Sequence, residues 1–168
     1  MVCCVTGHRP KGFPFPYDYR GIEYMLYFNT LFCEIENLIK QGYRHFITGM
    51  ADGADIDFAK CILYWKNKEN ITLEAALPYP ITTQKEPTNH IEIRNKILVE
   101  CDKISVISPY YHNGCMQKRN QYMVDKSDIV LAIWNNSCKG GTWNTIKYAR
   151  SKGKSIRYIM LNENLFNQ

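Results

Sequence analysis

Short apolar runs alternate with longer amphipathic segments along the whole chain, and this alternation constrains the fold more than any other feature. Short apolar runs favour buried strands, whereas apolar residues spaced three and four apart favour helices. The sequence predicts strands at residues 2–6, 45–48, 72–77, 104–107, 128–134 and 155–161. It predicts helices at about residues 20–40, 54–67, 89–101, 115–126 and 142–151. Because alternating strands and helices form parallel sheets, we predict an α/β, three-layer Rossmann-like domain with a mostly parallel central sheet flanked by helices.

Two proline-containing segments interrupt this pattern. Pro14 and Pro16 bar a regular helix or a central strand from residues 11–19. A long loop is predicted from Pro80 to Asn89. Since the sequence contains no repeat, low-complexity stretch or linker, we expect residues 1–168 to form a single domain.

The composition is that of a globular protein. A chain of 168 residues is long enough to bury a core without disulfides, and 22% charged residues are too few for a disordered chain. No apolar run approaches the roughly 20 residues of a membrane span, and the first ten residues lack the pattern of a secretory signal. We therefore expect a cytoplasmic protein without a membrane partner.

The cysteines indicate reduced thiols. There are seven of them, an odd number, and none forms a Cys-x-x-Cys pair. This pattern favours a reducing compartment over a disulfide framework. Neither the cysteines nor the four histidines have the spacing of metal ligands, so we expect no metal site and no cofactor.

The net charge of +5 is compatible with an anionic ligand. It falls short of the dense basic stripe of a dedicated nucleic-acid binder, so nucleic acid is not the expected partner. The twelve tyrosines offer rings that stack on bases or form an oligomer interface. Both interpretations of the tyrosines stay open at this point.

Three predicted strands end in glycine-bearing loops, and the first holds Gly7, His8 and Arg9. In a parallel sheet, ligands bind beyond the carboxyl ends of the strands, where such loops lead into helices. Gly7 permits close approach of a ligand, Arg9 offers two parallel donors to a phosphate, and His8 is a candidate general acid or base. Alternatively, His8 and Arg9 only tie the loop to its neighbours.

The second loop has the sequence Gly-Met-Ala-Asp-Gly-Ala-Asp at residues 49–55. Its glycines allow unusual backbone angles. Its aspartates either cap the following helix or accept hydrogen bonds from ribose hydroxyls. The candidate ligand-binding residues of this loop are Gly49, Asp52, Gly53 and Asp55.

The third loop brings Gly140, Gly141 and Thr142 to the start of the last helix. Exposed N–H groups at a helix N-terminus, together with a threonine hydroxyl, favour phosphate or another anion. Arg119, on the preceding helix, either reaches the rim of this site or lies on a solvated face. We count these four residues as candidate ligand-binding residues.

Taken in order, these loops resemble the SLOG superfamily, the Rossmann-like group that includes the LONELY GUY proteins and DprA. The resemblance is closest to the YpsA/YoqJ-like family. Residues 6–10 resemble its opening signature and residues 49–55 its second loop, and Arg119-Asn120, residues 128–134 and Gly140-Gly141-Thr142 follow in the expected order. The resemblance covers residues 2 to about 160. It implies a nucleotide, a nucleoside monophosphate or an ADP-ribose-like molecule as ligand.

Two relatives imply competing functions. LONELY GUY proteins are phosphoribohydrolases that cleave the N-glycosidic bond of a nucleoside monophosphate, and their motif is Pro-Gly-Gly-x-Gly-Thr-x-x-Glu. Here the loop is shorter, and Lys147 stands about where the glutamate is needed, which argues against that mechanism. DprA binds single-stranded DNA and resembles residues 49–59 and 119–134, so DNA binding is a minor alternative.

The leading interpretation is a protein that binds a nucleotide-derived small molecule as a sensor, a sequestering protein or a regulatory partner. The alternative is a hydrolase of such a ligand, which would use Asp52, Asp55, Glu92 or His8 as its acid or base. Glu92 lies with Arg94 in a helix that is expected to face the site.

The first predicted helix carries more large apolar surface than one sheet face needs, so we also predict a homodimer. The residues that form this surface are Tyr24, Met25, Tyr27, Phe28 and Phe32.

Overall fold

The computed structural model describes residues 1–80 and 88–162, so most of the predicted loop from Pro80 to Asn89 lies outside the described residues. The strands are β1 (Val2–Gly7), β2 (His45–Thr48), β3 (Thr72–Leu77), β4 (Lys103–Val106), β5 (Ile129–Trp134) and β6 (Ser155–Met160). The helices are α1 (Ile22–Lys40), α2 (Ala54–Lys66), α3 (Thr88–Glu100), α4 (Cys115–Lys126) and α5 (Gly140–Ser151). A single 3-10 turn covers Pro10–Gly12.

The strands form one sheet in the order β4-β3-β2-β1-β5-β6, and every pair of neighbours is parallel. The predicted Rossmann-like α/β fold is therefore confirmed. The chain steps outward from β1 to β4 and then returns to place β5 on the other side of β1. This reversal creates a topological switch point between β1 and β5, where folds of this kind bind ligands.

Alternate residues of the central strands face opposite layers of helices, as a strand period of two requires. Cys3 and Val5 of β1 join the core beneath α1, α2 and α3. Cys4, between them, packs with Met123 and Val124 of α4 on the other face. Because both faces are covered, β5 is apolar along its whole length.

The irregular segment at residues 11–19 covers the end of α1 with aromatic rings. Phe13 packs edge-on against Tyr27 of α1, with ring centroids 5.0 Å apart. The hydroxyl of Tyr17 donates a hydrogen bond to Asp57 Oδ2 over 2.6 Å, and the hydroxyl of Tyr24 donates to Oδ1 over 2.8 Å. The carboxylate of Asp57 is thus buried beneath a cluster of tyrosines.

Much of the aromatic surface of α1 lies inside the protein. Tyr24 and Tyr27 are buried, and Phe28 and Phe32 pack against the same core. Of the five residues on which the dimer prediction was based, Met25 is the one that is largely exposed. The homodimer stays a prediction.

The face of the sheet beneath α4 holds a second buried carboxylate, Glu74 of β3. Its oxygens accept hydrogen bonds from Tyr122 Oη over 2.7 Å, Ser105 Oγ over 2.8 Å and Lys103 Nζ over 3.2 Å, and His45 Nε2 lies 2.9 Å away. Burial alone would raise the pKa of Glu74, but these hydrogen bonds outweigh it and lower the pKa to about 2.

Residues 1–80 and 88–162 contain neither a membrane-spanning helix nor a cluster of metal-binding side chains. None of the helices in these ranges is long and apolar enough to cross a membrane. No three histidine, cysteine, aspartate or glutamate side chains in them converge as a metal ion requires.

Candidate functional site

A cavity of about 320 Å³ opens at the switch point, between the carboxyl end of β1 and the first turn of α5. The predicted first, second and third loops all contribute to its wall. Of the predicted site residues, those that line it are Gly7, His8, Arg9, Asp55, Arg119, Gly141 and Thr142. The structure therefore brings together residues that lie more than a hundred positions apart in the chain.

Arg9 is the exposed cation of this cavity. Its guanidinium makes no hydrogen bond and no ion pair with any residue in the described part of the chain. It also lines a narrower opening beside Gly49 and Ala51. Five donors on a planar cation are thus available to a bound carboxylate or phosphate.

Arg119 lies behind Arg9 and is buried. Its Nε donates to Asn120 Oδ1 over 2.8 Å, and its Nη1 donates to the carbonyl oxygen of Gly49. The sequence left open whether Arg119 reaches the rim or lies on a solvated face. It lines the cavity, and its hydrogen bonds tie α4 to the loop after β2.

Asp55 is a buried carboxylate near Arg119. Its Oδ2 accepts a hydrogen bond from the N–H of Ala51 over 3.3 Å. Burial raises the pKa of Asp55, and the positive charge of Arg119 opposes that rise. A Cβ at position 49 would meet the ends of the buried Arg119 and Asp55 side chains, so a side chain there would have to displace them.

A third arginine approaches from α3. Arg94 is buried and lines the narrower opening together with Arg9 and Arg119. Glu92, two residues earlier, is exposed and lines none of the cavities formed by the described residues. Of the two residues expected to face the site from this helix, Arg94 does so and Glu92 does not.

The start of α5 forms the opposite wall. Gly141 and Thr142 line the cavity, whereas Gly140 does not. The Thr142 hydroxyl donates to the carbonyl oxygen of Gly7 over 2.9 Å, which joins α5 to the end of β1. Its proton is therefore committed within the protein, and the first-turn N–H groups of α5 remain as donors to an anion.

His8 braces the first loop against the loop after β5. Its Nε2 accepts a hydrogen bond from the N–H of Asn135 over 3.2 Å, and the Asn135 side chain donates to the carbonyl oxygen of Gly12 over 2.8 Å. Burial lowers the pKa of His8, which favours the neutral ring. These contacts match the interpretation in which His8 ties the loop to its neighbours.

Gly53 sets the direction of the chain at the end of the second loop. It is the N-cap of α2 and has φ +91°, and a Cβ there would lie 2.5 Å from the carbonyl oxygen of His8. Neither Asp52 nor Asp55 occupies the capping position, so that expectation is wrong. Asp52 and Gly53 instead line a separate cavity beside Tyr17.

The family model YpsA, which describes the YspA SLOG family, matches residues 3–164. The chain belongs to the YspA SLOG family. The resemblance read from the three loops and their order is thereby confirmed.

This SLOG chain is similar to one known protein in sequence and to another in fold. It is 30% identical over 140 residues to the SPbeta prophage-derived protein YoqJ of Bacillus subtilis (strain 168), an alignment that covers 73% of this chain and 79% of YoqJ. Its fold is similar to that of DNA processing protein A (DprA) from Streptococcus pneumoniae, with a TM-score of 0.64 and 13% identity. That match covers 98% of this chain and 54% of DprA, so the chain spans about half the length of DprA.

This SLOG chain departs from the LONELY GUY motif in its structure as well as in its sequence. Lys147, at about the position of the motif glutamate, is exposed and lines none of the cavities found in the described residues. Its ammonium lies 6.0 Å from the centre of the Trp143 ring. The residue at this position therefore faces away from the site.

Sequence reasoning missed a second cavity of the SLOG domain, about 260 Å³ in volume, between α4 and α5. It adjoins the first cavity, with which it shares Met116, Asn120 and Gly141. Its depth depends on the separation of two helices, which no local pattern reports. The asparagine and glutamine residues of α4 and α5 were the feature of the sequence that could have indicated this cavity.

Proposed function

We propose that this protein binds a nucleotide or a nucleotide-derived small molecule, with the anionic end of the ligand at the switch-point cavity. The single observation that carries this proposal is the exposed guanidinium of Arg9, which lines a cavity also reached by the first turn of α5 and has no partner in the described part of the chain. A guanidinium and helix N-terminal N–H groups that converge on one space form an anion site.

The surroundings of Arg9 support a phosphate in particular. Arg94 and Arg119 line the adjoining opening, so positive charge is concentrated at one edge of the sheet. The cavity lies at the switch point, where α/β folds bind nucleotides. Membership of the SLOG family, and a fold shared with a DNA processing protein, agree with a nucleotide-related ligand.

Binding without turnover fits the site better than hydrolysis does. Among the residues that line the switch-point cavity, Asp55 is the carboxylate, and it already accepts the Ala51 N–H. The imidazole of His8 accepts a hydrogen bond from Asn135. With its candidate acid and base engaged in the fold, the protein acts as a sensor, a sequestering protein or a regulatory partner.

The test combines calorimetry with mass spectrometry. Wild-type protein is titrated with nucleoside mono- and diphosphates and ADP-ribose, and each ligand is recovered after long incubation. We expect binding, intact ligand, and an affinity for Arg9→Gln that is lower by about 10- to 100-fold, the loss of one charge-assisted interaction.

Arg20→Gln is the matched control, because Arg20 is also exposed and lines none of the cavities in the described residues. It should bind like the wild type. Recovery of a cleaved ligand over several turnovers would establish the hydrolase instead. Failure of every nucleotide to bind would overturn the proposal.

A further inference from the structure

The second cavity, between α4 and α5, differs from the switch-point cavity in its chemistry. Its lining contains no aspartate, glutamate, lysine or arginine among the described residues. The switch-point cavity, by contrast, is lined by Arg9 and Arg119. Since the two cavities adjoin, one continuous cleft has a cationic end and an uncharged end.

The uncharged end is rich in carboxamides. Four amide side chains line it and make no hydrogen bond with any residue in the described ranges, and they belong to Asn113, Gln117, Gln121 and Asn144. A carboxamide carries donors and an acceptor side by side. This arrangement matches the hydrogen-bonding edge of a nucleobase, as asparagine and glutamine do when they read adenine.

Aromatic rings stand beside these amides. Tyr111 and Tyr148 both line the uncharged end. The hydroxyl of Tyr148 donates to Asp125, with O–O distances of 3.0 and 3.1 Å, which holds its ring on the surface of α5. A ring face next to free amides offers a base both stacking and hydrogen bonding.

Asn120 lies where the cationic and uncharged ends of the cleft meet, and both polar atoms of its amide are hydrogen-bonded within the protein. Its Oδ1 accepts from Arg119 Nε over 2.8 Å, and its Nδ2 donates to Thr145 Oγ1 over 2.9 Å. Thr145 in turn donates to the carbonyl oxygen of Gly141 over 2.9 Å. This chain of hydrogen bonds sets the distance between α4 and α5, and with it the width of the cleft.

We infer that the cavity between α4 and α5 binds the nucleobase of a free nucleotide whose phosphate lies at Arg9, an inference that rests on the function proposed above. The separation of charged and uncharged lining along one cleft selects a ligand with an anionic end and a neutral, ring-bearing end. Inorganic phosphate or a sugar phosphate would leave the amide-lined end unused.

The experiment compares nucleoside monophosphates with ribose 5-phosphate, which has the same anionic end and no base. Calorimetry is carried out on the wild type, Asn144→Ala and Gln121→Ala. We expect the wild type to prefer its best nucleotide to ribose 5-phosphate by about tenfold or more, and each variant to lose about tenfold in nucleotide affinity. Affinity for ribose 5-phosphate should not change.

Asn29→Ala is the matched control, because Asn29 is also an exposed helix residue and lines none of the described cavities. It should bind like the wild type. If both cleft variants keep full nucleotide affinity while Arg9→Gln loses it, the base lies elsewhere and this inference fails, although the proposed function stands. If no nucleotide binds the wild type, the proposed function fails as well.

Single-stranded DNA is tested as a further ligand in the same experiment. An oligodeoxynucleotide that binds more tightly than every mononucleotide, with a steep dependence on salt, would overturn the assignment of a free nucleotide. Binding of the oligonucleotide that is weaker than that of the mononucleotide supports the assignment.

Discussion

Glu74 and Asp55 are both buried carboxylates near parallel strands, yet their surroundings have opposite effects on them. Three side-chain donors and His45 surround Glu74, and they outweigh burial so that its pKa falls to about 2. Asp55 has Arg119 and the Ala51 N–H as its neighbours, and burial still raises its pKa. Side-chain donors hold the first carboxylate, whereas backbone N–H groups and the charge of Arg119 act on the second.

The difference separates a structural network around Glu74 from the proposed ligand site around Asp55. Around Glu74, each donor is committed to the carboxylate and no described cavity adjoins it. Around Asp55, the neighbouring Arg9 is exposed at the mouth of a cavity and has no hydrogen-bond partner among residues 1–80 and 88–162. The exposed cation at this cavity is therefore the feature on which the proposed ligand site rests.

Glu74→Gln should have the largest effect on stability. It removes the negative charge from a buried site that keeps Lys103 and three further polar partners, which costs about 3 kcal/mol of unfolding free energy. Urea denaturation at neutral pH measures it. Glu36→Gln, which breaks only the pair with Lys40 on the surface of α1, should change the unfolding free energy by less than about 0.5 kcal/mol. Equal losses in the two variants would show that the network around Glu74 stabilises the fold no more than a surface ion pair does.

Gly49→Ala should have the second-largest effect and lower the unfolding free energy by about 2 kcal/mol, because its Cβ would overlap both Arg119 and Asp55. The comparison is Gly141→Ala, since a Cβ at position 141 meets nothing within 4 Å. We expect Gly141→Ala to change the unfolding free energy by less than about 0.5 kcal/mol. Equal losses of stability in the two variants would show that the side chains of Arg119 and Asp55 move aside from position 49 without cost.

The pH dependence of stability should have opposite signs at the two carboxylates. The contribution of Glu74 is complete above its ordinary pKa of 4.5 and is lost as the pH falls toward about 2. Because the pKa of Asp55 is raised, its contribution is greatest below the ordinary value of 3.8 and is lost as the pH rises.

Urea unfolding between about pH 3 and about pH 7 tests this. The stability of the wild type relative to Glu74→Gln should shrink in acid, and its stability relative to Asp55→Asn should grow. The same trend in both comparisons would contradict the contrast between the two sites.

Arg9→Gln should have the smallest effect on stability, within about 0.5 kcal/mol, because Arg9 is exposed and has no partner in the described part of the chain. Thermal melting without ligand is the measurement. A clear drop in melting temperature would mean that Arg9 supports the fold, and its assignment to the ligand would lose its basis.

Local patterns in the sequence predicted the elements well. The bounds of β2, β3 and α4 agree with the prediction, because each is an apolar or amphipathic run with turn residues at its ends. The predicted start of α5 was two residues late, since Gly140 and Gly141 enter its first turn. Strand order depends on how helices cross over the sheet, and no single segment of sequence contains it.

The sequence predicted the site through one rule, that the carboxyl ends of parallel strands lie at the same edge of the sheet. That rule alone placed Gly7, Arg9 and Gly141 together. It did not separate Asp52 from Asp55, because the backbone at Gly53, with φ +91°, decides which cavity each one faces. The burial of Arg119 and the amide-lined cavity arise from the packing of α4 against neighbouring elements, which sequence spacing does not report.

The tyrosines above Asp57 give the folded protein an optical signature in alkali. Burial raises the pKa of Tyr17, Tyr24 and Tyr27, so these phenols stay protonated above the ordinary tyrosine pKa of 10. Their shared contribution to stability is complete below the ordinary tyrosine pKa of 10 and is lost above it. The phenolate absorbance of these three tyrosines should therefore rise only as the fold is lost, together with the loss of helical circular dichroism.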